Sequence, residues 1–103
     1  MENSATKQDS VVAVDAEITP EVLTVELSDG RRLSTPLSWF PRLVHGTNAE
    51  RADWQLQGNG RGIRWPQLDE DISVEGLIAG HPSSESEASL KRWMGQRRVD
   101  SRV

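Results

Sequence analysis

The feature that most constrains the fold is an Asn59-Gly60 dipeptide between two short stretches of alternating residues. Asn-Gly favours a two-residue type I′ turn, because both central positions of that turn need a positive φ angle. Such a turn would pair Leu56 with Ile63 and Trp54 with Trp65, placing the large apolar side chains on one face. We therefore predict an antiparallel hairpin in which both tryptophans belong to the core.

An earlier turn, around Gly30, predicts a second hairpin. A two-residue loop would set apolar side chains opposite charged ones. A three-residue loop over residues 28–30 instead pairs Val25 with Leu33 and places Gly30 at the left-handed position of a type I turn with a bulge. Alternation over residues 12–18 predicts one more strand ahead of this hairpin. Its apolar face is expected to carry Val12, Val14, Ala16 and Ile18.

Short helices are predicted from local start signals, which are Ser38 followed by Pro41, the Thr47-x-x-Glu50 capping box, and Ser73 ahead of residues 74–79. Gly46 and Gly80 are expected to end the first and the last of these helices. No segment between the strands can hold a crossover helix, so the strands should pair antiparallel. The predicted fold is α+β: a small antiparallel sheet of two hairpins or a meander over residues 11–80, with short helices on one face.

The two ends of the chain differ from this domain. Residues 1–10 are polar and are predicted to be a disordered tail. Residues 81–103 are predicted to be a linker, a helix over residues 85–97 started by a Ser84-x-x-Glu87 capping box, and a short tail. This helix would carry an apolar stripe of Leu90, Trp93 and Met94.

Charge is distributed unevenly along the 103 residues, whose net charge is −4. The last thirteen residues are basic and the rest of the chain is strongly acidic, which disfavours non-specific binding of polyanions by the whole chain. The sequence has no cysteine, no apolar run long enough to cross a membrane and no secretory signal, so we expect a cytoplasmic protein without a disulfide framework.

Candidate chemistry is sparse. Asp69, Glu70 and Asp71 could offer oxygen ligands to a hard cation, but three adjacent residues do not converge on one point, and we interpret them as a polar loop. His45 and His81 do not form a metal-binding pair, and no Gly-x-Ser-x-Gly motif is present. We therefore predict no catalytic residue, no cofactor and no metal site.

Four segments resemble one bacterial family, the domain of unknown function 2442; they are residues 36–43 (PLSWFPRL), 50–54 (ERADW), 58–66 (GNGRGIRWP) and 68–80 (LDEDISVEGLIAG). The resemblance implies a small α+β domain with an antiparallel sheet. Members of the family often lie beside members of another small uncharacterised family, and a toxin–antitoxin role has been suggested from that neighbourhood. The resemblance therefore implies an antitoxin-like protein with a small toxin-like partner. Some relatives append a helix-turn-helix, which the segment after Gly80 is too short to hold, so autonomous DNA binding is not expected.

Two hypotheses for function follow. The first is a non-catalytic protein-interaction module whose partner-binding residues are Leu90, Trp93, Met94, Arg97 and Arg98. The alternative is a small nucleic-acid-associated regulator that uses Arg92, Arg97, Arg98 and Arg102. Neither hypothesis involves a membrane or an enzymatic activity.

Overall fold

The computed structural model describes residues 11–101, with side chains described as far as Arg97. The strands are β1 (Ala13–Ile18), β2 (Val22–Leu27), β3 (Arg32–Pro36), β4 (Gln55–Gln57), β5 (Gly62–Trp65) and β6 (Glu70–Ser73). The helices are α1 (Pro41–His45), α2 (Asn48–Ala52), α3 (Val74–Ala79) and α4 (Glu87–Ser101). The tail predicted at residues 1–10 and Arg102 lie outside the described residues.

Two antiparallel meanders make up the strand framework, with strand orders β1-β2-β3 and β4-β5-β6. The predicted α+β class with antiparallel pairing is confirmed, and the strands divide into two three-stranded sheets. None of the helices in the described part of the chain combines the length and apolar character that a membrane crossing needs. The cytoplasmic location expected from the sequence stays a prediction.

The β2–β3 hairpin has the predicted register. Val25 pairs with Leu33, the loop is three residues long, and Gly30 has a φ of 95°. The predicted alternation of β1 is wrong at its start, because a bulge lies between Ala13 and Asp15. The extra residue, Val14, is 51% exposed, whereas Ala13 is buried in its place. A bulge reverses which side chains face inward, and the alternation of residue types does not reveal it.

The β4–β5 hairpin also has the predicted register, with Leu56 opposite Ile63. Asn59 has φ 59° and ψ 36°, and Gly60 has φ 90°, which are the angles of a type I′ turn. The strand pairing stops before Trp54, which is half-buried against the core. Leu56 does not reach the core fully and stays 38% exposed on this edge strand.

The prediction of a polar loop at Asp69-Glu70-Asp71 is wrong, since Glu70 and Asp71 belong to β6. Asp71 lies opposite Arg64 in the β5–β6 pairing, and the two side chains form an ion pair of 2.7 Å. Opposite charges facing each other across two strands stabilise the pairing. A run of carboxylates can therefore occupy a strand when the neighbouring strand supplies a guanidinium.

Local signals located most of the short helices. The Thr47–Glu50 capping box is present at α2, and the Ser73 side chain accepts a hydrogen bond from the Gly76 N–H at the start of α3. Ser38 does not cap α1, because a 3₁₀ turn over Leu37–Trp39 comes first. Helix α4 likewise begins after Ser86, whose hydroxyl accepts from the Ser89 N–H, and not at the predicted Ser84.

The two sheets enclose one apolar core, to which α1, α3 and α4 contribute. Trp65 is fully buried at its centre, and its indole N–H donates to the Arg51 carbonyl at 3.0 Å. The buried members are Ala13, Leu23, Val25, Leu27, Leu37, Phe40, Leu43, Ile63, Trp65, Leu68, Ile72, Val74, Leu77 and Trp93. The sheets meet where the Gly60 turn packs against Ala13, and Trp93 brings α4 onto this core. The predicted domain boundary near residue 80 stays a prediction.

Candidate functional site

The C-terminal helix is held on the domain by one aromatic side chain that contacts two guanidinium groups. Trp93 is 7% exposed, and the guanidinium carbons of Arg42 and Arg97 lie 5.0 and 4.7 Å from its ring centroid. A guanidinium over the face of an indole is attracted to it, more strongly where water is excluded. We call Arg42, Trp93 and Arg97, with the carboxylates of Glu50 and Glu85, the Trp93 clamp.

Arg42 joins α1 to the segment that precedes α4. Its Nε and Nη2 donate to the two carboxylate oxygens of Glu85 at 2.8 and 2.7 Å. Both side chains are largely removed from water, with exposed fractions of 15% and 8%. The hydrogen bond from Arg42 lowers the pKa of Glu85, and the same bond raises the pKa of Arg42. The pair therefore stays ionised at neutral pH.

Arg97 forms the second ion pair of the clamp. Its Nη1 and Nη2 donate to the carboxylate of Glu50 at 3.1 and 2.8 Å. One oxygen of that carboxylate also accepts from the Thr47 N–H, so Glu50 caps α2 and anchors α4 at once. The hydrogen bond from Arg97 lowers the pKa of Glu50. The clamp thus ties α4 to two different helices of the domain.

Glu70 lies beside this clamp without joining its hydrogen bonds. Arg42 Nη1 donates to the carbonyl oxygen of the preceding residue, Asp69, at 3.0 Å, and none of the Arg42 bonds goes to the Glu70 carboxylate. Burial raises the pKa of Glu70 to about 7; Arg42 opposes the rise, and the charge of Glu85 adds to it. Glu70 is therefore a carboxyl that titrates near neutral pH.

A polar cleft of about 260 Å³ opens next to Glu70. Phe40, His81, Ser83 and Ser84 line it, together with residues of β6 and α3. A hydrolytic site would need a serine hydrogen-bonded to a histidine that is itself oriented by a carboxylate. No such chain of hydrogen bonds occurs among the described residues, nor does a group of three side chains able to hold a metal ion.

The predicted partner-binding residues face the domain where they are described. Trp93 is buried, Leu90 and Met94 are half-buried against the core, and Arg97 belongs to the Trp93 clamp. The side chain of Arg98 lies outside the described residues. Partner binding by this set stays a prediction.

The sequence interpretation missed the domain half of the site. Arg42, Glu50, Glu70 and Glu85 come from four separate segments, and only Glu50 carried a local signal, its capping box. The spacing from Trp93 to Arg97 is one helical turn, which is the signal that could have indicated their contact.

The fold and the clamp define a class of protein: a small α+β domain of two antiparallel meanders with a C-terminal helix held on its surface. Residues 12–83 match the model of a family described as Protein of unknown function (DUF2442). The chain belongs to this family, and the predicted resemblance is confirmed. The whole of α4, which carries Trp93 and Arg97, lies beyond the matched region, and so does Glu85.

Two solved structures are similar to this chain. A crystal structure of a protein of unknown function from Rhodospirillum rubrum has 25% sequence identity and a TM-score of 0.63, covering 77% of this chain and 95% of that one. A solution structure of an uncharacterized protein from Chromobacterium violaceum has 18% identity and a TM-score of 0.65, covering 90% of this chain and 82% of that one. The second likeness concerns the fold alone. The comparison with curated proteins finds no match.

Proposed function

We propose that this chain is a non-catalytic protein-interaction module in which α4 is the partner-binding element. The observation that carries the proposal is the way α4 is held: one tryptophan and two ion pairs fasten a helix that follows a segment without regular structure. A partner that binds the helix more tightly than the domain does displaces it from the domain. The helix then presents to this partner Leu90, Trp93, Met94, Arg97 and Arg98.

The contact surface between α4 and the domain is narrow. Lys91, Arg92 and Gln96 on the other faces of α4 are exposed, so the described part of the helix meets the domain along a single stripe. An isolated helix of this length is only marginally stable in water. A released α4 would therefore gain order by packing its tryptophan stripe into a groove of the partner, which is a recurrent mode of helix recognition.

The four charged groups of the Trp93 clamp support a binding role over a catalytic one. Arg42, Arg97, Glu50 and Glu85 neutralise one another in pairs, which leaves none of them poised to act on a substrate. A narrower form of the proposal is an antitoxin-like protein with a small toxin-like partner. That form is supported by the family resemblance of the sequence.

The test begins with a partner identified by co-purification from the native host and then purified for reconstitution. In this cysteine-free chain, cysteines at the positions of Glu50 and Arg97 can be joined by a short bifunctional maleimide, which ties α4 to the domain. We expect the tied chain to lose binding in titration calorimetry. Each single-cysteine chain, capped with a monofunctional maleimide, serves as a matched control. The chain changed at Glu50 should bind like wild type, and the chain changed at Arg97 should bind more weakly, because it lacks one partner-binding side chain, but should keep the binding that the tied chain loses.

Trp93→Ala in the untied chain provides a second measurement. A buried aromatic anchor typically contributes at least about 2 kcal/mol to binding, so we expect affinity to fall by about 30-fold. Lys91→Ala, on the exposed face of α4, is the control and should change affinity little. Full binding by the tied chain would contradict the proposal. If this chain binds nucleic acid and the double variant Arg97→Glu/Arg98→Glu does not, the alternative of a nucleic-acid-associated regulator would be favoured.

A further inference from the structure

The polar cleft beside Glu70 runs along the free edge of strand β6. This strand is the last of its sheet, with β5 on one side and no strand on the other among the described residues. Every residue of β6 lines the cleft. Because successive side chains of a strand point to opposite faces, a cavity that touches all of them lies along the edge of the strand.

The backbone of β6 directs hydrogen-bonding groups towards this edge. In an antiparallel pair, alternate residues direct both their N–H and their C=O to the neighbouring strand. Just past β6, the Val74 N–H donates to the carbonyl of Arg61 at 2.9 Å, and the strand register continues this pattern. Glu70 and Ile72 are therefore the residues bonded to β5, and the other two residues of β6 direct their backbone groups towards the cleft.

Those two residues are Asp71 and Ser73, and both are exposed. Among the described residues neither of their N–H groups has an acceptor, and the Asp71 carbonyl has no donor. Their hydrogen bonds are made by the side chains alone. A row of unpaired backbone groups on an edge strand is a template for pairing with another extended chain.

The opposite wall of the cleft does not fill these groups. It is formed by the segment after α3, in which the His81 N–H donates to the Gly76 carbonyl at 2.9 Å. The Ser83 N–H donates to the Trp39 carbonyl at 3.0 Å, and Pro82 between them has no N–H. The wall therefore has its donors engaged elsewhere and leaves the edge of β6 available.

We propose that β6 binds an extended, basic peptide segment of a partner protein, which enters the polar cleft and adds a strand to the β4-β5-β6 sheet. Main-chain hydrogen bonds join the segment to Asp71 and Ser73, a recurrent mode of peptide recognition. The cleft of about 260 Å³ provides the space beside the strand. This site is on a different element from the α4 of the proposed function, and the inference does not depend on that function.

The side chains around the edge determine which segment fits. A residue opposite Asp71 has its side chain on the face of the Asp71 carboxylate. Its two neighbours point to the core side, where Phe40 and Leu77 line the cleft. Glu70 and Asp71 make the lining acidic, and the described residues that form it include no lysine or arginine. The segment therefore carries a basic residue between two apolar ones.

A second copy of β6 is excluded as the occupant by its charge. Pairing of two such strands would bring Glu70 and Asp71 of each chain close to those of the other, and like charges across strands destabilise a pair. Arg64 does not relieve this repulsion, because it already binds both Asp69 and Asp71. Charged residues on an edge strand are a common protection against such self-pairing.

Nuclear magnetic resonance of the full chain tests the inference with a capped peptide that alternates lysine and valine over about six residues. When about nine-tenths of the chain is bound, the Asp71 and Ser73 amides should exchange with solvent about tenfold more slowly. The amides of Glu70 and Ile72 already bond to β5 and should change little. A peptide with glutamate in place of lysine should bind at least about tenfold more weakly.

Methylated peptides test the main-chain bonds on the unchanged protein. Methylation of the lysine backbone nitrogens removes the donors of an antiparallel strand, and methylation of the valine nitrogens removes those of a parallel one. One of the two methylated peptides should therefore lose binding. Undiminished binding by both would overturn the inference, and so would a lysine–valine peptide that leaves the exchange of Asp71 and Ser73 unchanged.

Asp71→Pro tests the edge from the side of the protein. Proline is tolerated on an edge strand where the N–H faces outward, and here it removes only a donor that points into the cleft. Asp71→Asn is the matched control, because it removes the same charge and keeps the N–H, and it should weaken binding about threefold. The proline variant should bind about fivefold more weakly than the asparagine variant. Equal binding by the two folded variants would contradict the inference.

Discussion

Arg42 and Glu85, which are 43 residues apart in the chain, are joined by two parallel hydrogen bonds of 2.8 and 2.7 Å. The pair fixes the segment after α3 against α1 just before α4 begins. A backbone hydrogen bond from the Ser83 N–H to the Trp39 carbonyl, 3.0 Å long, holds the same segment two residues earlier. The position of α4 therefore depends on a few specific contacts.

Glu85→Ala should destabilise the protein markedly. The change leaves a guanidinium that is only 15% exposed without its carboxylate, and an uncompensated buried charge costs several kcal/mol. Because Arg42 can turn partly towards Asp69, we expect the free energy of unfolding to fall by about 2–3 kcal/mol. Urea denaturation at neutral pH measures it. Glu87→Ala, on the exposed first turn of α4, should stay within about 0.5 kcal/mol of wild type.

The same ion pair predicts a loss of stability in acid. The pKa of Glu85 is lowered in the folded chain, so its stabilising contribution is present above the pKa of the unfolded chain. It is lost as pH falls through the lowered pKa of the folded chain. The stability difference between wild type and Glu85→Ala should therefore shrink towards zero at low pH, and a difference that persists there would contradict an electrostatic origin.

Much of the fold could be predicted because its signals are local. The turns at Gly30 and Asn59-Gly60 set two hairpin registers, and the capping residues Thr47 and Ser73 located two helices. Two features of the fold were not predicted, because their causes are not local in the sequence. The bulge at Val14 depends on how β1 meets β2, and strand β6 depends on Arg64 neutralising carboxylates across the sheet.

The site was less predictable than the fold. The stripe of Leu90, Trp93 and Met94 indicated an apolar helix face, but nothing in the spacing showed that the face would meet its own domain. The Arg42–Glu85 contact joins two segments that are distant in the sequence, and no periodicity in either segment predicts the contact. In the sequence Glu70 is one of three adjacent acidic residues, which we interpreted together as a polar loop. In the structure Glu70 is half-buried, whereas Asp69 and Asp71 are exposed.

Glu70→Gln should change how stability depends on pH. Because the pKa of Glu70 is raised to about 7 in the folded chain, wild type should lose stability as pH rises from the ordinary glutamate range through 7. Allowing for solvent screening of this half-buried group, we expect a loss on the order of 1–2 kcal/mol. Urea denaturation across this range measures it. The glutamine variant should show no such loss and should exceed wild type at pH values above 7.

Gly60→Ala should cost more than Gly30→Ala, although both glycines have a positive φ near 90°. A Cβ at Gly60 would lie 2.5 Å from the Ala13 carbonyl oxygen, so the junction between the two sheets must shift. A Cβ at Gly30 meets nothing within 4 Å, which leaves only the backbone strain of about 1 kcal/mol. We expect about 2–4 kcal/mol for Gly60→Ala by thermal or urea unfolding. Equal losses would show that the turn can move away from β1.

Trp93→Ala should release α4 while the two sheets stay folded. The substitution removes the buried indole and both of its guanidinium contacts. The helix is then held by Leu90, Met94 and the ion pair between Arg97 and Glu50. A helix of this length is marginal once its packing is lost, so the amides of residues 87–97 should lose protection from hydrogen exchange.

The free energy of unfolding should distinguish the roles of the two buried tryptophans, Trp93 and Trp65. We expect Trp93→Ala to lower it by about 1–3 kcal/mol, the order of one buried side chain. Trp65→Ala is the contrasting variant, because Trp65 lies at the core and its N–H holds the Arg51 carbonyl. That change should cost about 3–5 kcal/mol and expose the amides of both sheets together. If Trp93→Ala instead exposed the sheets as fully as Trp65→Ala does, α4 would be an integral part of the core and could not act as a releasable helix.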